Sequence, residues 1–145
     1  MKSALRQLVL VVEDHQDTRD LYAEYLSLTG FEVLKARNGM EGFTRACESQ
    51  PDVIVTDLLL PTIDGWELVR RLRADGRTKD IPIVLVSGWV TASAQETALR
   101  VGCASYLTKP CLPQVLVDEI RLVLASQPAQ QPSRDGDPNR ARVAG

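Results

Sequence analysis

From Pro51 to Pro61 the chain reads PDVIVTDLLLP. Val53, Ile54 and Val55 make a short β-branched apolar run with a proline at either flank. That length and composition fit a strand buried on both faces, as in a parallel sheet. Asp57 stands where the run should end. A carboxylate beside so much apolar surface is costly unless it is hydrogen-bonded, bound to a cation or placed at the sheet's solvent edge. In open α/β sheets ligands bind at that edge, outside the carboxyl ends of the strands. Asp57 is therefore a candidate active carboxylate.

Working outward from this strand, the same signature recurs on both sides. Leu8 to Val12 is a continuous β-prone run that stops at Glu13-Asp14. Leu21, Tyr22, Tyr25, Leu26 and Leu28 then recur at offsets of three and four, a helical pattern that Gly30 is placed to end. Phe31, Val33 and Leu34 read as a second strand. Asn38-Gly39 turns into a helix with Met40, Phe43, Ala46 and Cys47 on one face. After Asp57, a loop over residues 61–65 leads to a helix that starts at Asp64 or Gly65, with Trp66, Leu68, Val69 and Leu72 apolar. Arg70, Arg71 and Arg73 between them read as its solvated face. Ile81 to Val86 is the fourth strand, with Pro82 tolerable near its start and Ser87-Gly88 closing it. A helix over about 91–101, a short strand over 104–107 and a helix over 113–125 complete the pattern.

Five strands alternating with five helices predict an α/β fold: a doubly wound parallel sheet covered on both faces. Right-handed crossovers restrict its topology to a few forms, of which the flavodoxin-like order 2-1-3-4-5 is the expected one. The expected domain is residues 1–125. From Ser126 the composition turns to Pro, Gln and Arg with almost no large apolar residue, so residues 126–145 are expected to be a disordered tail.

Bulk composition narrows the function. The 145 residues carry a formal net charge of -2, so no basic face is available for direct nucleic acid binding. No apolar run has the length of a membrane span, and no signal-like cleavage site follows the N-terminal patch. The three cysteines, Cys47, Cys103 and Cys111, lack CxxC spacing, which argues against a disulfide framework or a zinc site and for a cytoplasmic location. His15 is the only histidine, so no catalytic triad is available, and beside two acids it reads as an exposed loop residue.

The strand ends are the informative feature. Glu13-Asp14, Asp57, Ser87 and Lys109 each follow or close a predicted strand, and in a parallel sheet these ends share one edge. With the order 2-1-3-4-5, strands one and three are neighbours and three carboxylates crowd together. Clustered carboxylates repel unless a cation joins them, and hard oxygen ligands suit Mg²⁺. A magnesium ion with an Asp carboxylate points to phosphoryl chemistry, the carboxylate acting as nucleophile. Lys109 and Ser87 would hold oxygens of the transferring group.

Over about residues 5–125 the chain resembles the receiver domain of two-component response regulators, in its single-domain, chemotaxis-regulator-like form. The matching pieces are LVLVVEDH, VIVTD followed by LLLPTIDGWEL, IPIVLVSG and GCASYLTKP. The resemblance implies that Glu13, Asp14, Asp57 and the backbone carbonyl of Leu59 hold Mg²⁺, and that Asp57 is the phosphoacceptor. It implies that Lys109 binds phosphate, that Ser87 is the hydroxyl switch residue and Tyr106 the aromatic switch, and that the Lys109-Pro110 bond is cis. The implied donor is a sensor histidine kinase or a histidine phosphotransfer protein. The implied output is a change in the face of helix four, strand five and helix five, read by a downstream protein or by a second copy in a phosphorylation-linked homodimer. Such a protein catalyses only its own phosphorylation and dephosphorylation.

Gly88 replaces a frequent Ala, Leu60 a frequent Met, and Cys103 and Cys111 the usual Ala and Phe, none of which removes a chemical group from the site. Leu59 and Trp89 occupy positions that tune dephosphorylation in the family, and two large apolar groups there are expected to screen attacking water. A phosphohydrolase of the haloacid dehalogenase type needs a second Asp where Leu59 stands, and a nucleotide binder needs a glycine-rich phosphate loop that is missing. An unphosphorylated docking pseudo-receiver should lack a site residue, yet all are present. The part after Ala125 has no room for a DNA-binding domain, so a complete chain would be a single-domain regulator and a fragment would be the receiver of a longer one.

Overall fold

Strands and helices alternate through residues 6–88 and 91–127, the part of the chain that the computed structural model describes. They are β1 (Leu8–Val12), α1 (Gln16–Leu28), β2 (Glu32–Ala36), α2 (Gly39–Ser49), β3 (Val53–Thr56), α3 (Gly65–Ala74), β4 (Ile83–Ser87), α4 (Ala92–Arg100), β5 (Ser105–Thr108) and α5 (Pro113–Ala125). All strand pairs are parallel, in the order β2-β1-β3-β4-β5. This is the doubly wound, flavodoxin-like arrangement expected from the sequence.

Side chains alternate across each strand and divide the core in two. Val9, Val11, Val53, Val55, Val84 and Val86 face one way, onto Leu26 of α1 and Leu116 and Ile120 of α5. Leu10, Val12, Ile54, Ile83 and Leu85 face the other way, onto Ala46 of α2, Leu68 and Leu72 of α3 and Ala98 of α4. Both faces are covered, as a parallel sheet requires. Each fully buried Val, Leu or Ile favours folding by about 1.5–3 kcal/mol before entropy is counted. Three of the helices begin on a side-chain cap. Asn38 accepts from the Glu41 amide, Asp64 from Glu67 and Thr91 from Ala94.

Several sequence expectations are corrected. β4 starts at Ile83 rather than Ile81, because Pro82 has no N–H to donate; its carbonyl instead accepts from the Ile54 amide at 3.0 Å. β5 runs from Ser105, one residue later than expected, and includes Thr108. Leu21, Leu28, Met40 and Val115 belong to the apolar helical patterns but are exposed; Leu21 and Leu28 share the side of α1 opposite the buried Arg19, Tyr22, Ala23 and Leu26. Arg73 is not on a solvated face. Its guanidinium donates to the carbonyls of Lys79 (2.9 Å), Ile81 (2.8 Å) and Gly102 (2.9 Å), tying α3 to the loops before β4 and β5. Trp89 and residues 128–145, most of the segment read as a tail, lie outside the described residues. Among the described residues no helix is long and apolar enough to cross a membrane.

Candidate functional site

Strand register assembles the site. Val12 of β1 pairs with Thr56 of β3, so the residues that follow, Glu13 and Asp57, leave the sheet side by side. The Asp57 amide donates to the Val12 carbonyl at 3.3 Å, which fixes that exit. On the other flank Ser87 of β4 pairs with Thr108 of β5, and the next amide, of Lys109, donates to the Ser87 carbonyl at 2.9 Å. The Lys109-Pro110 bond is cis. Four strand ends thus meet at one edge, at the switch point between β1 and β3 where doubly wound sheets bind ligands.

Charge concentrates there. Lys109 Nζ lies 2.7 Å from Asp57 Oδ2 and 2.8 Å from Glu13 Oε1, a bridge between two carboxylates that are 7% and 3% exposed. Burial by itself would lower the Lys109 pKa. The hydrogen bonds to Asp57 and then Glu13 outweigh it and hold the ammonium above its ordinary range. The other Asp57 oxygen, Oδ1, accepts from the Leu59 amide at 3.1 Å. Glu13 Oε2 accepts from the His15 amide at 3.0 Å, so exposed His15 serves the site through its backbone. Asp14 is exposed, and one oxygen each from Glu13, Asp14 and Asp57 lie within 4.8 Å of one another. One ammonium does not neutralise three carboxylates. An all-oxygen donor set with excess negative charge and one solvent-facing member fits a hard divalent cation that keeps water ligands, as Mg²⁺ does.

The remaining residues singled out in the sequence lie on β4, on β5 and on the loop after β3. Ser87 is fully buried at the end of β4. Tyr106 of β5, paired in register with Leu85, is half-buried against the α2-α3-α4 side of the core. The Leu59 side chain is 58% exposed beside Asp57. Leu60 and Ile63 of the following loop pack onto the same core.

Three further residues shape the site without having been read from the sequence as doing so. A Cβ on Gly65 would stand 2.4 Å from the Asp57 carbonyl oxygen and 2.6 Å from Leu58 Cα, so only glycine lets α3 start against the Asp57 backbone. The Gly65 amide donates to the Leu58 carbonyl at 2.7 Å. Arg19 of α1 donates to the carbonyls of Glu13 (2.9 Å) and Asp14 (3.4 Å). The Tyr22 hydroxyl donates to the Cys111 carbonyl at 2.8 Å, two residues beyond Lys109. Asp64-Gly65 was legible as a helix start, but nothing local to the sequence marks Arg19 or Tyr22 as more than members of α1.

Residues 9–121 match the family described as the response regulator receiver domain. The chain is 35% identical over 120 residues to chemotaxis protein CheY1 of Helicobacter pylori, covering 81% of this chain and 97% of the relative. It is 29% identical over 116 residues to the polar-differentiation response regulator DivK of Brucella anthropi, covering 80% and 94%. With the phosphate regulon transcriptional regulatory protein PhoB of Pseudomonas aeruginosa it shares 35% identity over 116 residues, and there it spans about half (51%) of the relative's length. Among solved structures, chemotaxis response regulator CheY4 of Vibrio cholerae superposes with a TM-score of 0.77 at 28% identity, covering 81% of this chain and 98% of that one. A response regulator from Desulfuromonas acetoxidans superposes with a TM-score of 0.75 at 26% identity, covering 82% and 97%. Receiver domains of this family are signalling modules that bind Mg²⁺ at an acidic pocket and work with histidine kinases and downstream targets. The fold, the acidic group at its switch point and the match over residues 9–121 agree, and the chain belongs to the receiver-domain family of two-component response regulators.

Proposed function

We propose that Asp57 is the phosphoacceptor, charged by a phosphohistidine on a sensor histidine kinase or a histidine phosphotransfer protein. The observation that carries this reading is the bridge from Lys109 Nζ to both Asp57 and Glu13, which puts a cation against a buried carboxylate at the sheet's ligand edge. Glu13, Asp14, Asp57 and the Leu59 carbonyl would hold Mg²⁺, supported by the oxygen donor set and by the Leu59 backbone lying against Asp57. When bound, the ion supplies charge neutralisation for phosphate oxygens entering an acidic site.

In the transfer, an Asp57 carboxylate oxygen forms a bond to phosphorus as the phosphorus–nitrogen bond of the donor breaks, and the electron pair stays on the donor imidazole. Lys109 passes from a carboxylate oxygen to a phosphoryl oxygen, and the Ser87 hydroxyl donates to another. Water attacking the same phosphorus later restores Asp57, so the chain acts catalytically only on itself. Ser87 drawn toward the phosphoryl group and Tyr106 turned inward would reshape the α4-β5-α5 face, a two-state element biased by new charge. A downstream protein, or a second copy in a homodimer, reads that face. We place the receiver at residues 1–125, the tail at residues 126–145 and the protein in the cytoplasm, on composition and on the free state of all three cysteines.

The test is intact mass after acetyl phosphate treatment, with and without Mg²⁺, beside Asp57→Asn. A Mg²⁺-dependent gain of one phosphoryl group, absent from the variant, is the expected result. No gain, together with no change in tryptophan fluorescence on adding beryllofluoride and Mg²⁺, would leave a docking pseudo-receiver as the better reading.

A further inference from the structure

Arg19 and Tyr22 lie three residues apart on α1, hence on one face of the helix. They are 9% and 4% exposed, and each sends its polar group out of the core into a different loop. Arg19 Nη1 donates to the carbonyls of Glu13 and Asp14, the backbone that carries the acidic pair. The Tyr22 hydroxyl donates to the carbonyl of Cys111, on the loop that carries Lys109. Those two loops belong to strands separated by β3 and β4 in the sheet, and among the described residues they meet side chain to side chain through Lys109 and Glu13.

We propose that Arg19 and Tyr22 are positioning residues that brace the acid loop and the lysine loop from one helix, Arg19 setting the Glu13-Asp14 pair for its cation and Tyr22 setting Lys109 for the phosphoryl group. The proposal rests on the phosphoacceptor reading of this site. A guanidinium suits the first task because its planar fork presents several donors at fixed angles, and two adjacent carbonyls take one of its nitrogens. A phenol suits the second because it spans the gap from a buried helix face with a rigid ring and ends in a single donor. Neither group touches the reacting atoms. Each limits where a carboxylate or an ammonium on the next loop can stand, and a misplacement of about 1 Å is enough to weaken such a site.

The two tasks separate experimentally. Mg²⁺ affinity by calorimetry, beryllofluoride affinity at saturating Mg²⁺ and the unfolding midpoint would be measured for the wild type, Arg19→Met, Arg19→Lys and Tyr22→Phe. Arg19→Met is expected to weaken Mg²⁺ binding by about tenfold, the scale of lost support behind metal ligands. Arg19→Lys should recover part of it. Tyr22→Phe should leave Mg²⁺ affinity within about twofold yet weaken beryllofluoride by about threefold or more, the value of one net hydrogen bond. Lower unfolding midpoints with unchanged affinities for both ligands would overturn the brace and leave the two residues structural. The mild Arg19→Lys and Tyr22→Phe variants decide the matter if Arg19→Met does not fold. A wild type that binds neither Mg²⁺ nor beryllofluoride would overturn the phosphoacceptor reading, and the brace with it.

Discussion

Lys109 and Asp57, 52 residues apart in the chain, meet with 2.7 Å between Nζ and Oδ2, and the same ammonium reaches Glu13 at 2.8 Å. Replacing it leaves two buried carboxylates without their shared counter-charge. Lys109→Met is expected to destabilise the protein by about 1–3 kcal/mol without Mg²⁺, less than a fully buried pair would lose because the lysine is partly exposed. Added Mg²⁺ should stabilise the variant more than it stabilises the wild type, since the cation takes over the lost compensation. Urea unfolding with and without Mg²⁺ measures both effects.

Alkaline pH probes the same edge from α1. Burial pushes the Tyr22 phenol up to about 12, whereas an unfolded tyrosine titrates near 10. The folded state therefore holds this proton more tightly, so the stabilisation is complete below about pH 10 and is lost as pH rises towards 12. Lys109, also raised, acts in the same direction above the ordinary lysine value. Stability should fall by roughly 2 kcal/mol over that window on account of Tyr22, and Tyr22→Phe should flatten the fall. Denaturant midpoints at a series of alkaline pH values give the slope.

Arg73→Ala removes the donors to three carbonyls, of Lys79, Ile81 and Gly102. The expected loss is about 1–3 kcal/mol, and Arg73→Lys should restore only part because an ammonium lacks the planar fork. The midpoint of chemical unfolding is the measurement.

The Leu59 side chain is an apolar group, 58% exposed, on the residue whose amide bonds Oδ1 of Asp57, the carboxylate proposed to be phosphorylated. Leu59→Asn replaces it with a group that can orient attacking water. Dephosphorylation should quicken by about two- to tenfold, the rate equivalent of one net hydrogen bond. Loss of the phosphorylated mass with time follows it directly.

Strand periodicity carried much of this architecture in the sequence, because β-branched runs such as Val53 to Val55 have few uses other than a buried strand. Once those runs were ordered as a parallel sheet, Glu13, Asp14, Asp57, Ser87 and Lys109 had to share an edge, and register brings them there. What escaped the reading depends on tertiary partners. Arg73 sits among other arginines on a charged helix, and its carbonyl acceptors come from loops that only the folded chain places beside it. The bonds from Arg19 and Tyr22 were hidden for the same reason, since their acceptors are backbone atoms that any sequence supplies.

Gly65 gives the site one more member, and it is a hydrogen atom. Where any other residue would carry a Cβ, the space belongs to the Asp57 carbonyl and Leu58 Cα. Transplanting Glu13, Asp14, Asp57, Ser87 and Lys109 onto another doubly wound scaffold would therefore not transplant the site. The smallest portable unit includes the glycine at the head of the next helix, eight positions after the carboxylate, and a recipient with alanine there would have to move the very backbone that holds the graft.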